Sequence, residues 1–88
     1  MSELEKILKN RGKKYGDYKE MSAAICKLKK VTHDYVTEDM RPYQLHALDM
    51  IMVKVGRIIT GDPNYDDNWR DIAGYATLVL DNLPQRGD

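Results

Sequence analysis

The stretch Pro42-Tyr-Gln-Leu-His-Ala-Leu-Asp-Met-Ile-Met-Val-Lys-Val-Gly-Arg-Ile-Ile-Thr60 decides the fold. Its apolar residues Leu45, Leu48, Ile51, Met52, Val55, Ile58 and Ile59 recur every three or four positions, the period of an α-helix, and they cover most of its circumference. Pro42 suits the first turn, where a missing backbone N–H costs no hydrogen bond, and Gly61 ends the run. A helix that is apolar nearly all round predicts a central, nearly buried element with neighbours on more than one side.

Outward from this helix, Gly61-Asp-Pro-Asn-Tyr-Asp66 collects turn formers, and Asp66 or Asp67 is placed to cap a further helix reaching Leu83, where Pro84 stops it. Trp69, Ile72, Ala73, Ala76, Val79, Leu80 and Leu83 are expected to form its buried face. In the other direction, Asp17 with Glu20 makes a capping signature for a helix carrying Tyr18, Met21, Ile25 and Leu28, extended by Thr32 and Tyr35. Lys19, Lys27, Lys29 and Lys30 fall mostly on its wet side. The preceding Arg11-Gly-Lys-Lys-Tyr-Gly-Asp-Tyr18, with two glycines and three cations, reads as a connecting turn. Ser2 with Glu5 opens a short first helix, bearing Leu4, Ile7 and Leu8, that ends near Asn10 to Gly12. Alternating β-branched strands and repeats are absent, so the expected architecture is one all-α domain, a compact four-helix unit over residues 1–88.

A chain of 88 residues has no room for a second core. A lone core of this size supplies only a few kcal/mol, so at least a homodimer is expected. The fourteen basic and fourteen acidic residues cancel overall but not locally. Residues 1–30 hold nine cations against four acids, and residues 31–88 hold five against ten. That asymmetry suits a small anion or a complementary partner better than duplex DNA, and it also fits two halves attracting each other within the fold. Cys26, the single cysteine, excludes an intrachain disulfide and a thiolate metal cluster, and is expected as a small buried hydrophobe. No apolar run approaches a membrane span or a secretory leader, which points to a cytoplasmic protein without membrane contact.

Polar residues on the central helix need an explanation. At 100° per residue, His46, Asp49, Arg57 and Thr60 fall within a stripe of about 80°, with Val53 between them and Lys54 near the edge. An unpaired buried carboxylate or guanidinium is costly, so Asp49 and Arg57 are expected to pair across the bundle or across a subunit interface. Arg57 and Lys54 are also the residue types that hold phosphate oxygens, one by a two-pronged geometry and one as a point charge. On the last helix, Asp67, Asp71, Gly74, Tyr75 and Leu78 share a side. A mid-helix glycine costs roughly 1 kcal/mol relative to alanine, so Gly74 implies close approach of a helix or of a ligand. Asp71 offers a carboxylate to a metal or a ribose hydroxyl, or to Arg57 or Arg11, and Tyr75 a ring to stack a base. Asp62, Asn64 and Asp66 imitate the start of a calcium loop, but Asp67 and Ala73 stand where its glycine and glutamate belong, which excludes an EF-hand. No zinc pattern, Ser-His-Asp spacing, phosphate-binding loop or dinucleotide fingerprint is present.

Three segments in order, Arg11-Gly-Lys-Lys-Tyr-Gly-Asp-Tyr18, Asp49-Met-Ile-Met-Val-Lys-Val-Gly-Arg57 and Asp67-Asn-Trp-Arg-Asp-Ile-Ala-Gly-Tyr-Ala76, resemble a family of small helical proteins of phages and prophages without assigned activity. The helical layout is also similar, more weakly, to the all-α nucleoside triphosphate pyrophosphohydrolases of the MazG type. That resemblance implies magnesium held by paired acidic motifs, although here only Asp49 faces Asp67 and Asp71, fewer carboxylates than those enzymes use.

The leading expectation is a non-catalytic binder of a nucleotide or related phosphorylated small molecule. Arg11, Lys13, Lys14, Lys54 and Arg57 would meet phosphate, Tyr15, Tyr18 or Tyr75 the base, and Asp71 a ribose hydroxyl. The phage resemblance implies an anti-defence role, sequestering a host immune nucleotide signal. The alternatives are a Mg²⁺-dependent pyrophosphohydrolase with Asp49, Asp67 and Asp71 as ligands, and a module binding a protein, or RNA through Arg11 to Lys30.

Overall fold

In the computed structural model, which describes residues 2–8 and 17–84, the local start signals act as the sequence predicts. Ser2 Oγ accepts the Glu5 N–H at 3.1 Å, starting α1 over residues 3–8. Asp17 Oδ2 accepts the Glu20 N–H at 3.0 Å and starts α2, Tyr18–Asp34. Pro42 is the first residue of α3, Pro42–Thr60, where the Arg41 N–H is taken by Gln44 Oε1 at 2.8 Å. The last helix, α4, is Asp66–Asn82. Its N-cap is Tyr65, not Asp66 or Asp67. Both aspartates lie inside the first turn, where their charge faces the positive end of the helix dipole, and Tyr65 Oη donates to Asp67 Oδ2 at 2.8 Å. Strands are absent from the described residues, so the all-α expectation holds.

The loops are short, and α3 lies between two antiparallel neighbours. Ile25 of α2 rests on Gly56, Thr32 Oγ1 lies 2.9 Å from Met52 Sδ, and His33 reaches Asp49. On the other flank, Lys54 meets Asp71 and Tyr43 Oη donates to the Asn82 carbonyl at 3.0 Å. Helices α2 and α4 do not pack on each other, so the three elements form a single layer. The basic α2 and the acidic α4 therefore do not meet within the chain.

A single layer buries little. Among the described residues, only Ala47, Met52, Gly56 and Ile58 of α3 and Asn68 of α4 are buried. Helix α3 is central but only half covered, because its neighbours flank it and leave Leu48, Ile51 and Val55 partly open and Ile59 63% exposed. The expected buried face of α4 is corrected as well. Its contact face is Asn68, Ile72, Tyr75 and Val79, while Trp69, Ala73, Ala76, Leu80 and Leu83 are exposed, Trp69 by 54% and Leu80 by 68%. The two stripes lie about 90° apart on the helix, and α3 covers one of them. Trp69 is held at its base by Nε1 donating to the Pro63 carbonyl at 2.8 Å. Cys26 is exposed rather than buried, being turned away from the Ile25 and Leu28 side that meets α3.

Candidate ligand site

The polar stripe of α3 falls in one of the two angular gaps between its neighbours, and both neighbours reach toward it. From α2, His33 Nε2 lies 2.8 Å from Asp49 Oδ1. From α4, Asp71 Oδ2 lies 2.9 Å from Lys54 Nζ. The Tyr75 and His46 rings meet edge to face with centroids 6.4 Å apart. Arg57 is half-buried along the same stripe. Asp49 is thus paired across the bundle, as the cost of burying a carboxylate requires, and its partner is His33 of α2, sixteen residues away in the chain.

The side chain of Lys54 is only 12% exposed, whereas Asp71 is half open to solvent. A lysine stem laid along α3 that delivers its ammonium to the rim is the usual way such a residue buries its methylenes while keeping its head near water. Asp71 fixes where that head lies. Beside it, Arg70, Asp71, Gly74, Tyr75, Thr77 and Leu78 line an open hollow of about 550 Å³. The close approach of a helix, one of the two roles expected of Gly74, is not found among the described residues, since a Cβ built there meets nothing within 4 Å. The absent side chain leaves free space in the hollow. The close helix approach is at Gly56 instead, where an added Cβ would collide with Ile25 Cγ1.

Of the expected site residues, Lys54 and Asp71 meet directly and Tyr75 shares the hollow with Asp71, while Arg57 lies one helical turn along α3 from Lys54 and is not part of the hollow's lining, which is drawn from α4. Tyr18 does not join them, since it opens α2, which makes no contact with α4. Arg11, Lys13, Lys14 and Tyr15 lie outside the described residues. The three carboxylates considered as magnesium ligands have separate partners: Asp49 has His33, Asp67 has Tyr65 and Asp71 has Lys54. No group of three His, Cys, Asp or Glu side chains placed to hold a metal exists among the described residues. The false calcium loop is a local turn, with Asp62 Oδ1 accepting the Asn64 N–H at 2.9 Å.

Sequence reading missed Arg70 and Thr77 at the hollow and His46 as the ring against Tyr75; the last was visible as a member of the stripe. It also missed Asn68, which is 1% exposed with Nδ2 lacking a hydrogen-bond partner. No described helix is long and apolar enough to cross a membrane. No curated protein and no solved structure matches the chain. One family model does match, over residues 1–82, and the chain belongs to that family, described as a domain of unknown function, DUF6378.

Proposed function

We propose that this chain is a non-catalytic binder of a nucleotide or related phosphorylated small molecule, seated in the hollow at Gly74. The observation that carries this reading is the bare Gly74 surface beside the Lys54–Asp71 pair. A mid-helix glycine that no described helix approaches is a standing cost in helix stability, and room for a guest accounts for it. On binding, a phosphate displaces the Asp71 carboxylate from the Lys54 ammonium, and Arg57 adds a second cation. The released Asp71 carboxylate accepts from a ribose hydroxyl, and the Tyr75 ring offers a face to the base. Arg11, Lys13, Lys14 and Tyr15 are further phosphate and base contacts in this proposal. If the protein serves a phage, such binding removes a host signalling nucleotide from solution without chemical change.

The test is thermal unfolding with adenine mononucleotides, cyclic dinucleotides and inorganic phosphate. At ten times its Kd a ligand stabilises by about 1.4 kcal/mol, which for a domain of this size raises Tm by roughly 6–11 °C. Lys54→Met and Arg57→Ala should each abolish that rise while keeping native helix content by circular dichroism. A flat Tm across the whole panel at millimolar concentration contradicts the proposal.

A protein-interaction role is the second reading, favoured by one observation: the side of the layer opposite the hollow is apolar and uncovered.

A further inference from the structure

A site selects its guest by charge as well as by shape, because each charge the guest brings is attracted or repelled by those already fixed around it. The hollow at Gly74 has two ionised side chains in its lining, Arg70 and Asp71, and each is already engaged by an opposite charge. Arg70 Nε donates to Asp66 Oδ2 at 3.0 Å, one turn back on α4. Lys54 Nζ donates to Asp71 Oδ2 at 2.9 Å. The next charges outward also oppose one another. Arg57 stands one turn along α3 from Lys54, and Asp67 stands one turn before Asp71 on α4, accepting from Tyr65 Oη at 2.8 Å. Lys54, Arg57 and Arg70 are thus matched by Asp66, Asp67 and Asp71. Asp81, two turns beyond Gly74 on the same side of α4, adds a further carboxylate. Among the described residues, no excess of positive charge surrounds the hollow.

The two ion pairs differ in what a guest can gain from them. Arg70 and Asp66 have side chains 77% and 64% exposed, so their attraction is screened by water. Lys54 is 12% exposed, and a sheltered ammonium that loses its carboxylate needs another anion in its place. A guest with one negative charge makes that exchange one for one. A neutral guest cannot make it and leaves the Lys54–Asp71 pair closed. A guest with more charge makes it too, but the displaced Asp71 keeps its own charge and stays beside the guest, with Asp67 a turn away. Each charge after the first is therefore repelled.

We propose that the hollow is selective for a singly charged phosphodiester and disfavours phosphomonoesters and polyphosphates. This inference rests on the ligand reading above and narrows it to one chemical class. Lys54 is the cation that meets the diester, and the Arg70–Asp66 pair keeps a second cation from adding to it.

Isothermal titration of the full chain, in low-salt buffer without magnesium, tests the selectivity with adenosine, the methyl ester of AMP, AMP and ATP. These share base and ribose and carry zero, one, about two and about four negative charges. The methyl ester should bind tightest, AMP roughly threefold or more weakly, and ATP more weakly again, with the spread shrinking as salt is added. AMP or ATP binding as tightly as the methyl ester overturns the proposal and leaves the ligand reading standing, as does adenosine binding as tightly. Binding by none of the four is the failure of the ligand reading itself, and the selectivity falls with it. Asp66→Asn releases Arg70 at an exposed position and should improve AMP relative to its methyl ester by about two- to fivefold. An unchanged ratio contradicts the part given to the Arg70–Asp66 pair.

Discussion

At Gly56 an added Cβ would run into Ile25 Cγ1, whereas at Gly74 it would meet nothing within 4 Å. Both residues sit inside helices, so alanine at either position gains about 1 kcal/mol in helix propensity. At Gly56 the collision outweighs the gain, because Cγ1 lies too near the root of Ile25 to swing clear and α2 must be pushed outward. Gly56→Ala should lower unfolding stability by about 1–3 kcal/mol in urea titrations, and Gly74→Ala should raise it by up to ~1 kcal/mol while weakening any nucleotide-induced shift. Equal effects at the two positions would contradict the packing described. Sequence reading singles out Gly74 and passes over Gly56, since which glycine a helix approaches depends on which way α2 and α4 lie against α3. Asp49 is similar: its stripe is legible from spacing, but its partner His33 stands sixteen residues away on another helix.

Helix starts were the most legible feature, because a cap is a three-residue event. Ser2 and Asp17 each accept the N–H three positions on, as their spacing with Glu5 and Glu20 predicts. Asp17→Ala should therefore cost about 1 kcal/mol and fray the first turn of α2, read as a lower Tm and faster amide exchange at residues 18–21. An unchanged Tm would mean that packing of Ile25 on Gly56 alone fixes where α2 begins. The orientation of α4 was not legible, for a different reason. Two stripes compete on it, 68-72-75-79 and 69-73-76-80-83, and the second is the more apolar, so hydropathy selects it as the core face. The chain instead turns Asn68, Ile72, Tyr75 and Val79 onto α3 and leaves the stronger stripe open. Periodicity locates an apolar face without telling whether the same chain or another one covers it.

On the scale of the whole molecule, the layer has two unlike sides. One carries the Lys54–Asp71 pair, the His33–Asp49 pair and the hollow at Gly74. The other carries exposed tryptophan, leucine and isoleucine. Small size predicted a need for more buried surface, and the missing burial lies on one side only, which leaves the polar side open to solvent. The central claim is that this polar side receives a phosphorylated guest. Native mass spectrometry of the full chain, mixed with the nucleotide panel, tests it most directly by weighing guest and protein together. The account predicts ions heavier than the protein by one nucleotide per chain, lost in Lys54→Met and retained in Leu83→Ala; bare protein ions with every nucleotide offered would contradict it.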